Sequence, residues 1–300
     1  MDSKEKYSFH LPVLLNEILT YLQVKPGKWY VDATAGGGGY TKGIHQKGGH
    51  VISIDQDKEA IQRLEEKFAP EIHDKELIVT QGNFRHIRSL VKETGQEEIQ
   101  GVVFDLGMSN FHIRGSGRGF SFLRDEPLDM RMDSESALTA EHIVNKYSFG
   151  DIYDIFRKFG EEDLARQLAH AIVVARAVKP ITTSAELATL VSGVYQKHGR
   201  RTMHHPATLV FQALRIVVND ELGALRESLD QAFELLNKNG TLVVVSFHSL
   251  EDRIVKLFFQ QKEKEGRANI LTKKPVRAGN EELDLNSMSR SAKLRAIIKI

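Results

Sequence analysis

Between Lys28 and Asp105 the sequence alternates short, β-branched apolar runs with helical stretches, and few folds accept that rhythm. Residues 29–33, His50–Asp55 (HVISID), Leu77–Gln81 and residues 101–105 (GVVFD) read as strands, with helices starting at Tyr40 and covering residues 57–69. Runs that are apolar on both alternating faces belong in a parallel sheet covered by helices on each side. The rhythm then stops. The next convincing strand is residues 241–246 (TLVVVS), far beyond the roughly 30 residues that one βαβ step needs. The intervening chain has helical periodicity. Leu164, Leu168, Ile172, Ala175 and Val178 share one face, and Pro180 stops that helix. A second helix is expected from Ser184, read as its N-cap, to about Val194. From Val210, a stripe of Leu214, Val217, Leu222, Leu225, Leu229, Phe233 and Leu236 predicts one long helix ending at Asn239-Gly240. The expectation is a Rossmann-like α/β domain interrupted after its fourth strand: residues 1–112, a helical insertion at 113–214, and residues 215–300. Such an insertion leaves from the carboxyl edge of the strands, where open α/β sheets bind ligands, so a substrate-selecting role is expected of it.

Composition narrows the chemistry. There are no cysteines, which excludes disulfides, thiolate metal sites and thiolate nucleophiles. With 41% apolar and 27% charged residues the chain has the balance of a globular protein, and its net charge of +1 does not advertise a polyanion partner. Residues 262–300 carry a local excess, ten Lys and Arg against five Asp and Glu. The amino-terminal segment lacks the apolar core of a signal peptide, and no apolar run approaches the roughly 20 residues of a membrane helix. A soluble cytoplasmic protein is expected.

Residues 31–41 (VDATAGGGGYT) place four glycines between a strand and a helix, where backbone amides can approach a ligand. The dinucleotide pattern GxGxxG fails, because counting from Gly36 its last position is Thr41. An acid ending the first strand, here Asp32, before a glycine loop resembles the first motif of S-adenosylmethionine methyltransferases. That cofactor carries a sulfonium and no pyrophosphate, so nearby acids attract it. Asp55 ends the second strand, where a carboxylate can accept both ribose hydroxyls of either cofactor. Gly82-Asn83-Phe84 follows the third strand, and Phe84 is positioned to pack on an adenine. The bland alternatives are a plain turn and a core phenylalanine.

Asp105-Leu106-Gly107-Met108-Ser109-Asn110 follows the fourth strand, where amino-methyltransferases hold the target amine. A base amine is a poor nucleophile because its lone pair is delocalised, and acceptors on its protons favour the pyramidal geometry that attacks. Asp105, Ser109 and Asn110 are the catalytic candidates. The loop lacks the prolines of the DNA amino-methyltransferase motif. Carbon-5 methylation of cytosine needs a cysteine nucleophile, and none exists here.

The chain closely resembles the bacterial 16S ribosomal RNA cytosine-N4 methyltransferases, the RsmH (MraW) family. The matching blocks are HLPVLLNE from His10, VDATAGGGGYT, SIDQD ending at Asp57, GNF at Gly82, VFDLGMS and RGFSFLRDEPLDMRMD from Arg118. Further on come HPATLVFQALRIVVNDEL from His205, SFHSLEDRIVK from Ser246 and SRSAKLRAI from Ser289. The resemblance implies a class I methyltransferase sheet with a helical insertion, S-adenosylmethionine as cofactor, and a decoding-centre cytidine of 16S rRNA as target. It implies cofactor contacts at Gly38, Gly39, Tyr40, Asp55, Phe84, Asp105 and His112. Tyr40 stands where the family usually has His, His112 where it usually has Gln, and Asn110-Phe111 where Ser-Pro is common. The small ribosomal subunit is the implied partner, and a homodimer is a candidate assembly.

Other residues admit a functional and a bland reading. The set Ser246 to Arg253 invites a hydrolase, but no GxSxG elbow is present. Ser249 with Asp252 reads instead as a capping-box variant, with His248 a candidate for lining the base pocket. Arg118, Arg124, Asp129 and Arg131 with Phe120 and Phe122 have the composition of a lid over a nucleotide, or of a loop that satisfies itself. Arg200 and Arg201, with Lys197, His198, His204 and His205, form a basic loop suited to RNA phosphates. No metal site is expected, since carboxylates and regular His spacing are lacking there. Met130 and Met132 read as packing residues, and Arg277 to Lys293 as a glycine- and serine-bearing segment open to mobility. Two other functions fit the same cofactor motifs: a binding module without catalysis, and a methyltransferase of DNA, protein or small molecules.

Overall fold

The computed structural model describes residues 12–108 and 115–300. The chain divides into two compact units, Met1–Gly107 with Gly223–Ile300, and Met108–Leu222.

The first unit is built on a seven-stranded sheet. Strands β1 (Trp29–Asp32), β2 (His50–Asp55), β3 (Leu77–Gln81), β4 (Ile99–Asp105) and β5 (Leu236–Ser246) pair in parallel. β6 (Ala268–Ile270) and β7 (Lys293–Lys299) complete the order β3-β2-β1-β4-β5-β7-β6, with β7 antiparallel to both neighbours. The order reverses between β1 and β4, and open α/β sheets form a crevice at the carboxyl edge of such a switch point. The helices of this unit are α1 (Leu15–Leu22), α2 (Gly39–Gln46), α3 (Lys58–Lys67), α4 (Ala69–His73) and α5 (Ile87–Glu93) before the insertion. Successive strand residues enter opposite cores: Val102, Phe104, Leu242 and Val244 on one face, Val103, Val243 and Val245 on the other. That is why these runs show no polar alternation. Each such side chain contributes about 1.5–3 kcal/mol by its burial.

The second unit is helical: α6 (Ala140–Lys146), α7 (Phe149–Phe159), α8 (Ala165–Val178), α9 (Ser184–Lys197) and α10 (Thr208–Asn219). Its core gathers Phe156, Leu168, Ile172, Leu187, Val191 and Leu214, with Met130 and Met132 buried as packing residues. Three sequence expectations need correction here. Val178 is 89% exposed, because the last turn of α8 lies beyond the buried stretch ending at Ile172. The N-cap of α9 is Thr183, whose hydroxyl takes the Glu186 N–H while Glu186 returns a bond to the Thr183 N–H. The long helix from Val210 is two. Asp220 adopts φ 45° and ends α10, and α11 (Glu221–Leu235) starts at the next residue. Arg215 spans the break with hydrogen bonds of 2.8 and 2.9 Å to the Glu221 carboxylate.

The first unit closes with α12 (Ser249–Lys264) and α13 (Asn280–Leu285). Residues 277–293, read as open to mobility, are built into it. Val276 bridges to Leu294, Ser289 is buried, and Glu282 accepts both the Ser289 hydroxyl and the Leu14 N–H. β6 and β7 escaped the sequence reading because β6 is a three-residue edge strand, and β7, though inside the sheet, is interrupted by Arg295 and flanked by lysines.

Candidate active site

Asp32 ends β1 and is wholly buried. One carboxylate oxygen accepts the Thr41 N–H at 3.0 Å and the Thr41 hydroxyl at 2.7 Å; the other accepts the Thr34 N–H at 3.4 Å. Thr41 also pairs with Ser53 on β2 at 2.8 Å. Burial pushes the Asp32 carboxyl up to about 6 against these hydrogen bonds, with repulsion from Asp55 adding to it. Asp32 therefore fastens α2 to β1 and β2. Direct attraction of a cation, read for it from the sequence, is secondary to this structural work.

Asp55 ends β2 and organises the glycine loop. One oxygen takes the Gly36 N–H at 2.8 Å, the other the Asp57 N–H at 2.9 Å. Gly38 has φ 73°, and a Cβ there would lie 2.5 Å from the Phe68 ring and 2.7 Å from Leu64. A Cβ on Gly39 would lie 2.6 Å from Pro12. Glycine is thus imposed at both by close approach. At Gly37 a Cβ would meet nothing within 4 Å among the described residues. The N-cap of α2, Gly38, has no side chain to cap with, and of the helix amides Asp32 takes only the Thr41 N–H, so the Gly39 and Tyr40 amides suit a ligand's acceptor groups.

Phe84 opens a short 3-10 turn after β3, whose start Asn83 caps by accepting the Arg85 N–H. Asn83 also donates to Gln56 at 2.7 Å, linking the ends of β2 and β3. The Phe84 ring is half-buried and meets Phe104 edge-on at 5.6 Å, leaving part of its surface for a stacking partner.

Asp105 ends β4, with its N–H donated to Thr34 at 2.7 Å. Its Oδ1 is shut off from solvent and has no hydrogen-bond partner among the described residues. Tyr40, from α2, lies beside it, but the Tyr40 hydroxyl donates to the Val13 carbonyl at 2.8 Å. Burial pushes the Asp105 carboxyl up to about 8; the Tyr40 hydroxyl opposes this, and Asp32 and Glu251 add repulsion. The same surroundings raise Tyr40 well above its usual value.

Glu251, overlooked in the sequence, is buried on the first turn of α12. It accepts the Phe247 N–H at 2.8 Å and the His248 N–H at 3.3 Å. The capping box is therefore His248 with Glu251, one residue before the Ser249–Asp252 pair expected. Asp252 instead binds Arg295 of β7 through both oxygens at 2.6 and 3.2 Å. The only sequence signal for Glu251 was its place three residues after a polar cap. His248 has a structural task as well: its side chain is 9% exposed, with Nδ1 accepting the Glu251 N–H and Nε2 lying 3.2 Å from Glu251 Oε1, so it caps α12.

Gly38, Gly39, Tyr40, Asp55, Phe84 and Asp105 all fall in the sheet unit, at the carboxyl ends of β1 to β4 or in the loops that follow. Ser109, Asn110 and His112 lie outside the described residues. In the helical unit, Arg118 donates to the Arg131 and Met132 carbonyls at 3.3 and 3.0 Å. Arg131 grips Asp129 through two hydrogen bonds of 2.8 and 2.7 Å. Burial would raise the Asp129 carboxyl, but Arg131 outweighs it and holds the pKa low. This loop satisfies much of its own charge. Arg124 is 56% exposed and 4.0 Å from Glu126. Arg200 and Arg201 are exposed, and nearby His205 stacks on Phe122 with centroids 4.4 Å apart. No helix among the described residues is long and apolar enough to cross a membrane.

Residues 7–300 match the MraW methylase family. Among solved structures, the chain is similar to a Clostridium thermocellum protein assigned as an rRNA-methylase, at 13% identity and TM-score 0.47, covering 97% of this chain and 98% of that one. It is also similar to SMU.1697c of Streptococcus mutans, assigned as a methyltransferase and solved with SAH, at 13% identity and TM-score 0.47, with coverages of 95% and 97%. An rRNA methylase of Streptococcus thermophilus follows at 10% identity and TM-score 0.45, with 95% of each chain covered.

Proposed function

The chain belongs to the MraW methylase family, and from that premise we propose that it methylates the exocyclic N4 amine of a decoding-centre cytidine in 16S rRNA. The cofactor is S-adenosylmethionine, which supplies, when bound, an electrophilic methyl group. Asp55 would hold the ribose hydroxyls, the amides of Gly39 and Tyr40 the donor's carboxylate, and Phe84 the adenine face, with Gly38, whose own N–H goes to the Ala35 carbonyl at 2.7 Å, shaping the loop against the donor. Asp105 would accept a hydrogen of the target amine and favour its pyramidal, attacking form, with Ser109 and Asn110 assigned beside it from sequence. His112 is assigned to the cofactor on the same ground. Arg124, Arg200 and Arg201 would meet RNA phosphates, and Arg118 would shape the loop that carries Arg124. The proposed setting is the cytoplasm and the small ribosomal subunit, with a homodimer as a candidate assembly.

The observation that carries this reading is Asp105: its Oδ1 is a buried acceptor without a partner among the described residues, at the end of β4, in the same unit as the glycine loop and Asp55. The absence of cysteine supports nitrogen over carbon-5 as the atom methylated, by direct in-line transfer without a covalent enzyme–RNA intermediate. Fragmentation mass spectrometry of nucleosides from rRNA treated with the protein tests it. N4-methylcytidine is expected; 5-methylcytidine, a methylated adenine or a 2′-O-methyl would overturn the assignment.

A further inference from the structure

We infer that Asp105 couples binding of the cationic methyl donor to release of a proton: its carboxyl is neutral in the free protein and ionises when the donor arrives. The inference rests on the cofactor reading above and deepens it.

Among the described residues, the titratable groups acting on Asp105 are Asp32 from β1, Tyr40 from α2 and Glu251 from α12. Two are acids, and none is a cation. Asp32 and Glu251 are both at most 2% exposed, so water screens them poorly. Tyr40 cannot help with a full hydrogen bond while its one proton goes to the Val13 carbonyl. Among the described residues Oδ1 is left buried and unpaired, which is costly for an anion and much less so for a neutral acid. The raised proton affinity, to about 8, agrees with this geometry.

An incoming cation reverses the balance, since opposite charge at close range favours the carboxylate. The step conserves atoms and electrons: the carboxyl O–H bond breaks, its electron pair stays on oxygen, and the proton leaves to buffer. It also orders the reaction. The carboxylate that would accept a hydrogen from the target amine exists only once the donor is in place, so the donor should bind before RNA.

The test is calorimetric titration of the full chain with S-adenosylmethionine at pH 7 in buffers of different ionisation enthalpy. The slope of apparent enthalpy against buffer enthalpy counts protons. About 0.9 proton released per donor is expected from a group near 8, with affinity rising roughly eightfold between pH 6.5 and 7.5. Asp105→Asn should bind without that release and without the pH slope. Tight binding by the wild-type protein with no proton released and a flat profile would overturn the inference while leaving the cofactor reading intact. No binding at all would instead overturn the cofactor reading and, with it, this inference.

Discussion

Replacing Asp55 by alanine should damage two things at once, and the structure gives the size of each. The carboxylate holds the Gly36 and Asp57 amides at 2.8 and 2.9 Å. Charge-assisted hydrogen bonds contribute about 1.5–3 kcal/mol each when buried. Asp55 is only half-buried, so water replaces part of the loss, and a total near 2–3 kcal/mol is expected for the free protein. In a chain of this length that lowers the melting temperature by roughly 5 °C. Donor affinity should fall further than contact loss alone implies, because the glycine loop is released as well. Losing the ribose bonds costs about 1.5–3 kcal/mol, or roughly 10- to 150-fold in Kd. Calorimetric titration with S-adenosylmethionine and thermal melts with and without the donor measure both. If Asp55→Ala melts lower but binds with wild-type affinity, Asp55 only braces the loop and the ribose role is wrong. If it melts and binds like wild type, the hydrogen bonds seen here carry no energy and the reasoning fails at its first step.

Further outcomes follow from the same geometry. Gly38→Ala forces a left-handed φ of 73° and a contact of 2.5 Å with Phe68, so a loss of about 2–4 kcal/mol is expected by denaturant melts, and an unchanged midpoint would refute the packing argument. Asp105 has its proton affinity raised from near 3.8 to about 8 by folding, so its contribution is fully present below about pH 4 and is lost as pH climbs through about 8. Asp105→Asn should therefore melt above the wild-type protein at pH 8, and the gap should close on acidification; the reverse order would contradict the burial argument. Arg200 and Arg201 lie in the helical unit, so changing both to alanine should weaken RNA binding and flatten its salt slope by roughly one unit per lost phosphate contact while leaving donor affinity alone. Equal loss of both affinities would point to misfolding.

The alternation of apolar runs and helices by itself determined the parallel sheet, because a strand buried on both faces admits almost no polar residue and that pattern survives in one dimension. The glycines, Asp55 and Asp105 were legible for the same reason, since each sits within a residue or two of a strand end and needs no distant partner to be noticed. Tertiary structure decided the rest. Asp32 and Asp55 look alike in sequence, yet Asp32 is buried against Thr41 while Asp55 is half-exposed and holds the loop. His248 and Glu251 form a cap only because β5 delivers them into a buried turn, and Arg295 finds Asp252 only because β7 pairs with β5. The break at Asp220 was invisible because the apolar stripe continues through it; a periodic pattern records which side faces a core, but not where the backbone turns to face it. The proton affinity of Asp105 was the least legible property. It depends first on burial, then on Tyr40, which opposes the rise, and on Asp32 and Glu251, which add to it; the fold gathers these, and electrostatic energy follows distance in space rather than separation in sequence.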